Sequence, residues 1–198
     1  MIKELYKCAT QDLATNVAVT EADRPTTAHW QAVLRTCLTA RYLSVFLFRV
    51  AQFVGQRTSL VAGLIKQLNQ FLTGADVAWQ AQIGPNLVLP HPVGVVVGPY
   101  CVVGSGCILQ QGVTLGGNGN PGEGAASSPT LGSGVAVGAG ARVLGALTVG
   151  DNVRIGANAV VTTSMPSDVL VVGVPARAKR PEGVRDSTPS SHLPAGRA

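Results

Sequence analysis

Aliphatic residues recur at six-residue spacing through the second half of the chain. The anchors are Ile83, Leu89, Val97, Val103, Leu109, Leu115, Leu131, Val137, Val143, Val149, Ile155 and Val161. Glycine follows at 84, 98, 104, 116, 132, 138, 150 and 156. A six-residue repeat is the mark of a parallel β-helix, a coil of short strands around an aliphatic prism. Anchors fill the interior, and the following glycines are read as corners that need positive φ. The position four after each anchor also points inward: Leu87, Val93, Cys101, Cys107, Val113, Val135, Ala141, Leu147, Val153, Ala159 and Met165. Three hexads make one turn, so the anchors give about four to five turns. Spacing alone leaves the handedness open, and the general crossover rule favours the right hand.

Before the repeat the pattern changes. Residues 29–72 hold Ala, Leu, Gln and Arg without proline, which predicts helix, with Gly55 and Gly63 marking a break into two. Residues 1–30 read as a short helix and a loop through Arg24-Pro25-Thr26-Thr27. The division expected is 1–75 helical, 76–180 β-helix with an excursion loop at 117–129, and a disordered Pro/Ser/Gly-rich tail at 181–198.

Composition narrows the function classes. Charged residues are 13% and hydrophobic ones 46%, which suits a repeat fold with a subunit interface. The net charge of +5 is carried by the two ends of the chain, not by the coil. Nucleic-acid binding needs a basic face with aromatic platforms, and only scattered arginines are present. No signal peptide and no run long enough to cross a membrane are visible. The most apolar stretch, YLSVFLFRVAQFV, is interrupted by Arg49 and reads as a buried helix, with an interfacial helix as the alternative. Cys101 and Cys107 are six apart, on neighbouring faces of a triangular coil and beyond disulfide reach. They read as small core fillers in a reduced, cytoplasmic protein. No metal set is expected.

The repeat is broken twice. An extra dipeptide in LPHPVGVV bulges one corner and carries His91 between two prolines. Histidine titrates near neutral pH and can take a proton from a hydroxyl nucleophile; a structural role stays open beside this one. Ten extra residues between Leu115 and Leu131 must leave the coil as a loop, either a tolerated insertion or an arm over a site. Asp76 precedes His91 by 15 residues. One turn is about 18, so the two can approach, and an Asp beside a His orients the ring and stabilises imidazolium. A turn or cap aspartate is the plainer alternative.

These pieces resemble the serine O-acetyltransferases, within the hexapeptide-repeat acyltransferases. The matching segments are FRVAQF, the run from Asp76 to Gly84, HPVGVVVG, ILQQGVTLGGNG and GVPAR, about two thirds of the chain between Phe48 and Arg177. The resemblance implies a left-handed β-helix, a homotrimer with sites between subunits, and acetyl transfer from acetyl-CoA to a hydroxyl by direct attack. It implies His91 as general base and Asp76 as its orienting partner. For coenzyme A it suggests Gly116, Gly117, Gly138, Ala139, Ala157, Arg177 and Lys179.

Two departures stand out. Family members carry an acidic residue just before the histidine, where this chain has Pro90. Their excursion loop carries an Arg-His pair for the amino-acid carboxylate, where this chain has Ser127-Ser128-Pro129. Residues 116–130 contain no cation, and their one ionisable group is Glu123. A zwitterion normally needs charge-assisted partners. The acceptor is therefore left between L-serine and another hydroxyl: a sugar, a polysaccharide or a modified amino acid. A short helical region favours a trimer over a hexamer, and the PAGRA end does not support the family's contact with the next enzyme of cysteine synthesis. A non-catalytic trimeric scaffold is the alternative of another class. A hexapeptide carbonic anhydrase needs three zinc histidines, and His29 and His192 lie outside the coil.

Overall fold

Among the described residues four helices precede the coil: α1 (Ile2–Asp23), α2 (His29–Cys37), α3 (Ala40–Gly55) and α4 (Ser59–Thr73). This computed structural model describes residues 2–23, 29–117, 119 and 124–179. The loop expected at Arg24–Thr27 and the tail expected at 181–198 lie outside those residues. Segment 29–73 forms three helices where two were expected. The first break falls at Leu38-Thr39, and Thr39 Oγ1 caps α3 by accepting from Tyr42 N. Gly55 ends α3 as expected, but Gly63 sits inside α4. Gly74, at φ 76°, stops α4 in the left-handed conformation that suits a residue without Cβ.

The coil has three faces of parallel two- to four-residue strands. Face A holds Asp76–Val77, Val96–Val97, Thr114–Gly116, Arg142–Leu144 and Val160–Val161; face B holds Gln82–Ile83, Val102–Val103, Thr130–Leu131 and Thr148–Val149. Face C holds Ile108–Leu109, Ala136–Val137, Arg154–Ile155 and Leu170–Gly173, closed by the antiparallel Ala176–Lys179. The register records both insertions. Val96 pairs Thr114 and Arg142 pairs Val160 at steps of 18. The dipeptide stretches Asp76↔Val96 to 20, and the loop stretches Thr114↔Arg142 to 28.

Each anchor is buried, as are Cys101, Cys107 and the other expected inward residues except Val93, in one continuous core. Every fully buried Val or Leu contributes about 1.5–3 kcal/mol of transfer free energy. Two expectations fail in detail. Val93 is 67% exposed and Val95 takes its inward place, because the inserted dipeptide lies upstream of Val95. Positive φ is found not at the glycines after the anchors but three residues after them, at Gly106, Gly112, Gly134, Gly140, Asn86, Asn152 and Asn158. Six of the eight anchor-following glycines serve close stacking instead, Gly98 and Gly116 being the exceptions. A Cβ at Gly104 would fall 2.5 Å from the carbonyl carbon of Gly132, and one at Gly138 would fall 2.6 Å from Ala157 N.

The helices are fixed to the first turn by a buried ion pair. Arg49 Nε donates to Asp12 Oδ2 at 2.8 Å, and its other nitrogens donate to Ile83 O and Gly84 O at 2.7 and 2.6 Å. Asp12 Oδ1 accepts from Leu87 N at 3.0 Å. The guanidinium that interrupts the apolar segment thus satisfies carbonyls at the open end of the coil, and α3 is a packed helix. Among the described residues no single helix is long and apolar enough to cross a membrane; α2 and α3 pass such a test only together, bent by 69°.

Candidate active site

His91 stands on the corner between faces C and A, widened by the extra dipeptide. Three backbone bonds hold the bulge: Gly94 N to Gly74 O at 2.9 Å, Val95 N to Pro92 O at 3.1 Å, and Gly112 N to Val93 O at 3.0 Å. Pro92 and Val95 turn inward and His91 is exposed. Its ring makes no hydrogen bond to any described residue.

Asp76 lies one turn below this corner on face A, where its N–H donates to Val95 O at 2.8 Å. Its carboxylate is not hydrogen-bonded to His91. Oδ1 is instead 2.5 Å from Lys66 Nζ, the two side chains being 32% and 28% exposed. Lys66, on α4, was not singled out in the sequence, because the helix brings it over the first strand from ten residues away.

Three of the residues suggested for coenzyme A share the His91 corner on later turns. Gly138 is close against Ala157, and Ala139 O accepts from Asn158 N at 2.8 Å. Arg142, also missed in the sequence, follows this corner on face A and its Nη1 donates to Gly112 O and Gly140 O. Its outward position before Val143 was legible, but its carbonyl partners come from two separate turns. Arg177 and Lys179 lie exposed on the closing hairpin, Lys179 in register with Leu170, which pairs Arg154.

Gly116 and Gly117 are elsewhere, on the corner between faces A and B where the long loop leaves. A groove of about 450 Å³ opens there, lined among the described residues by Gly98, Pro99, Tyr100, Gly117, Gly119, Gly124, Ser127 and Ser128. None of these is charged. Glu123 lies outside the described residues. The nine residues singled out in the sequence therefore divide between two edges of face A and the closing hairpin, and one chain does not gather them into a single pocket. Among the described residues no three His, Cys, Asp or Glu side chains cluster as a metal site would require.

Residues 128–163 match the family model described as bacterial transferase hexapeptide (six repeats). A serine acetyltransferase of Synechococcus elongatus is 43% identical over 148 residues, 74% of this chain and 60% of that protein. Serine acetyltransferase from Vibrio cholerae superposes with a TM-score of 0.78 at 29% identity, over 90% of this chain and 67% of that one. Soybean serine acetyltransferase complexed with serine also gives 0.78, at 29% identity, over 89% and 70%. The coil thus has the left-handed β-helix fold of the hexapeptide-repeat type. In sequence and in fold the chain is similar to these serine acetyltransferases. It spans 60% of the length of the curated relative from Synechococcus.

Proposed function

We propose that the protein is an acetyl-CoA-dependent O-acetyltransferase of the serine acetyltransferase type. One observation carries the reading: the interruption that sets this coil apart from a regular hexapeptide prism is the one that turns His91 outward, above Asp76. In this role His91 takes the proton from an acceptor hydroxyl as its oxygen attacks the thioester carbon, and coenzyme A leaves as the thiol. No acyl-enzyme forms. Asp76 steadies the imidazolium once the Lys66 contact is exchanged for the ring.

Gly138, Ala139 and Ala157 present a small-residue corner along which the pantetheine arm can lie, and Arg177 and Lys179 supply charge for its phosphates. Gly116, Gly117 and the groove border the opposite edge of face A. A trimer in which the groove of one copy faces the His91 corner of its neighbour unites them. The reading suits the cytoplasm, where acetyl-CoA is made and used.

A second reading concerns the acceptor. Ser127 and Ser128 occupy the stretch where the family carries its Arg-His pair, which favours a hydroxyl other than that of free L-serine. Free-thiol release from acetyl-CoA, measured against L-serine, L-homoserine and a panel of sugars, tests both. Acceptor-dependent release supports transfer, its best substrate decides the acceptor, and no release across the panel contradicts the assignment.

A further inference from the structure

We infer that the groove beside Tyr100 seats a neutral, polyhydroxylated acceptor, a sugar ring, with Tyr100 as its stacking platform. This inference rests on the acetyl-transfer reading and names its acceptor class. Tyr100 is 55% exposed, and its ring edge lies 3.6 Å from where a Cβ on Gly124 would stand. At Gly119 an added Cβ would meet nothing within 4 Å, so the groove is open there to the edge of a ring.

The polar groups decide the ligand's charge. Ser127 Oγ donates to Gly124 O at 3.1 Å, and Ser128 Oγ donates to the same carbonyl at 3.2 Å. Both hydroxyl protons are thereby committed; Ser127 is buried, and the half-buried Ser128 oxygen is left with lone pairs to offer the groove. A carboxylate brings only lone pairs of its own and meets no cation among the described lining residues. A sugar brings O–H donors for the Ser128 oxygen and an apolar ring face for the tyrosine, whose amphipathic ring suits such half-wet contacts.

The test uses the full chain with methyl α-D-glucopyranoside and methyl α-D-galactopyranoside as probes. Saturation-transfer NMR reads binding, and thiol release from acetyl-CoA reads transfer. Wild type and Tyr100→Phe are expected to saturate the glycoside ring protons. Tyr100→Ala is expected to lose that signal and to raise KM for the glycoside about tenfold with kcat little changed. Glycoside binding without thiol release from any acceptor would leave a sugar-binding groove and overturn the transfer reading, and with it the groove's role as an acceptor site. Release with L-serine alone, or a Tyr100→Ala variant that binds glycosides as wild type does, would overturn the acceptor site and leave the transfer reading standing.

Discussion

Lys66 Nζ lies 2.5 Å from Asp76 Oδ1, so the carboxylate beneath the His91 corner is engaged by helix α4. Both side chains are about a third exposed, and such pairs add at most about 1 kcal/mol to stability. The pair therefore reads as a reversible holding contact for Asp76. Asp76→Asn should lower kcat roughly 10- to 100-fold, about 1.4–2.7 kcal/mol of barrier. Lys66→Met should change kcat by less than about threefold and leave the unfolding midpoint nearly unmoved. An equal loss in both variants, measured by initial rates, would make Lys66 part of the machinery.

The Asp12–Arg49 pair should behave in the opposite way, because both side chains are almost fully buried. Asp12→Ala leaves a guanidinium unpaired and Leu87 N without its acceptor. The expected cost is about 3–5 kcal/mol in urea unfolding. Combining Asp12→Ala with Arg49→Met should cost clearly less than the two single losses added, since the pair acts as a unit.

Glycine substitutions separate close stacking from backbone conformation. Gly104→Ala drives a methyl group to 2.5 Å from Gly132 backbone atoms, which cannot move aside. It should destabilise the coil by about 2 kcal/mol or more. Gly106→Ala meets nothing within 4 Å and bears only the left-handed φ of 68°, about 1–2 kcal/mol. Gly63→Ala, inside α4 and also unobstructed, should stabilise by about 0.5–1 kcal/mol.

Burial raises the Cys101 thiol to about 11 from its ordinary 9, opposed in part by a backbone hydrogen bond at Gly98. A raised thiol is neutral in the folded chain when the unfolded chain has begun to ionise. Its contribution to stability is therefore full below pH 9 and is lost as pH rises from 9 to about 11. Chemical denaturation over that range should show a fall in stability that Cys101→Val lessens. In the folded chain Cys101 and Cys107 should resist a thiol reagent that labels the exposed Cys37.

Much of the coil was legible because a hexad has one strict demand, an aliphatic anchor, and its violations are as informative as its repeats. The dipeptide and the long loop could be counted from the anchors and reappear as register steps of 20 and 28. The demands on glycine were harder to read. Gly104 and Gly106 look alike in sequence, yet one answers to a neighbouring turn and the other to its own φ. Val93 and Val95 are both valines on an apolar run, so only the place where the bulge absorbs its extra residues decides which is inside. His91 was legible from its irregular corner. The Lys66 contact and the Arg142 carbonyls were not, since the first depends on how α4 lies over the first strand and the second on a side chain reaching across turns. The serines at 127 and 128 were visible as departures, but their shared acceptor, Gly124 O, required the loop's fold.

The central claim is that His91 removes the acceptor proton during acetyl transfer. The direct measurement is thiol release from acetyl-CoA by wild type and His91→Ala, with coenzyme A binding followed by calorimetry on both. The account predicts acceptor-dependent release in wild type, a loss of at least about 100-fold in His91→Ala, and unchanged coenzyme A affinity. Equal release by both proteins, or no release by wild type with any hydroxyl acceptor, would contradict it.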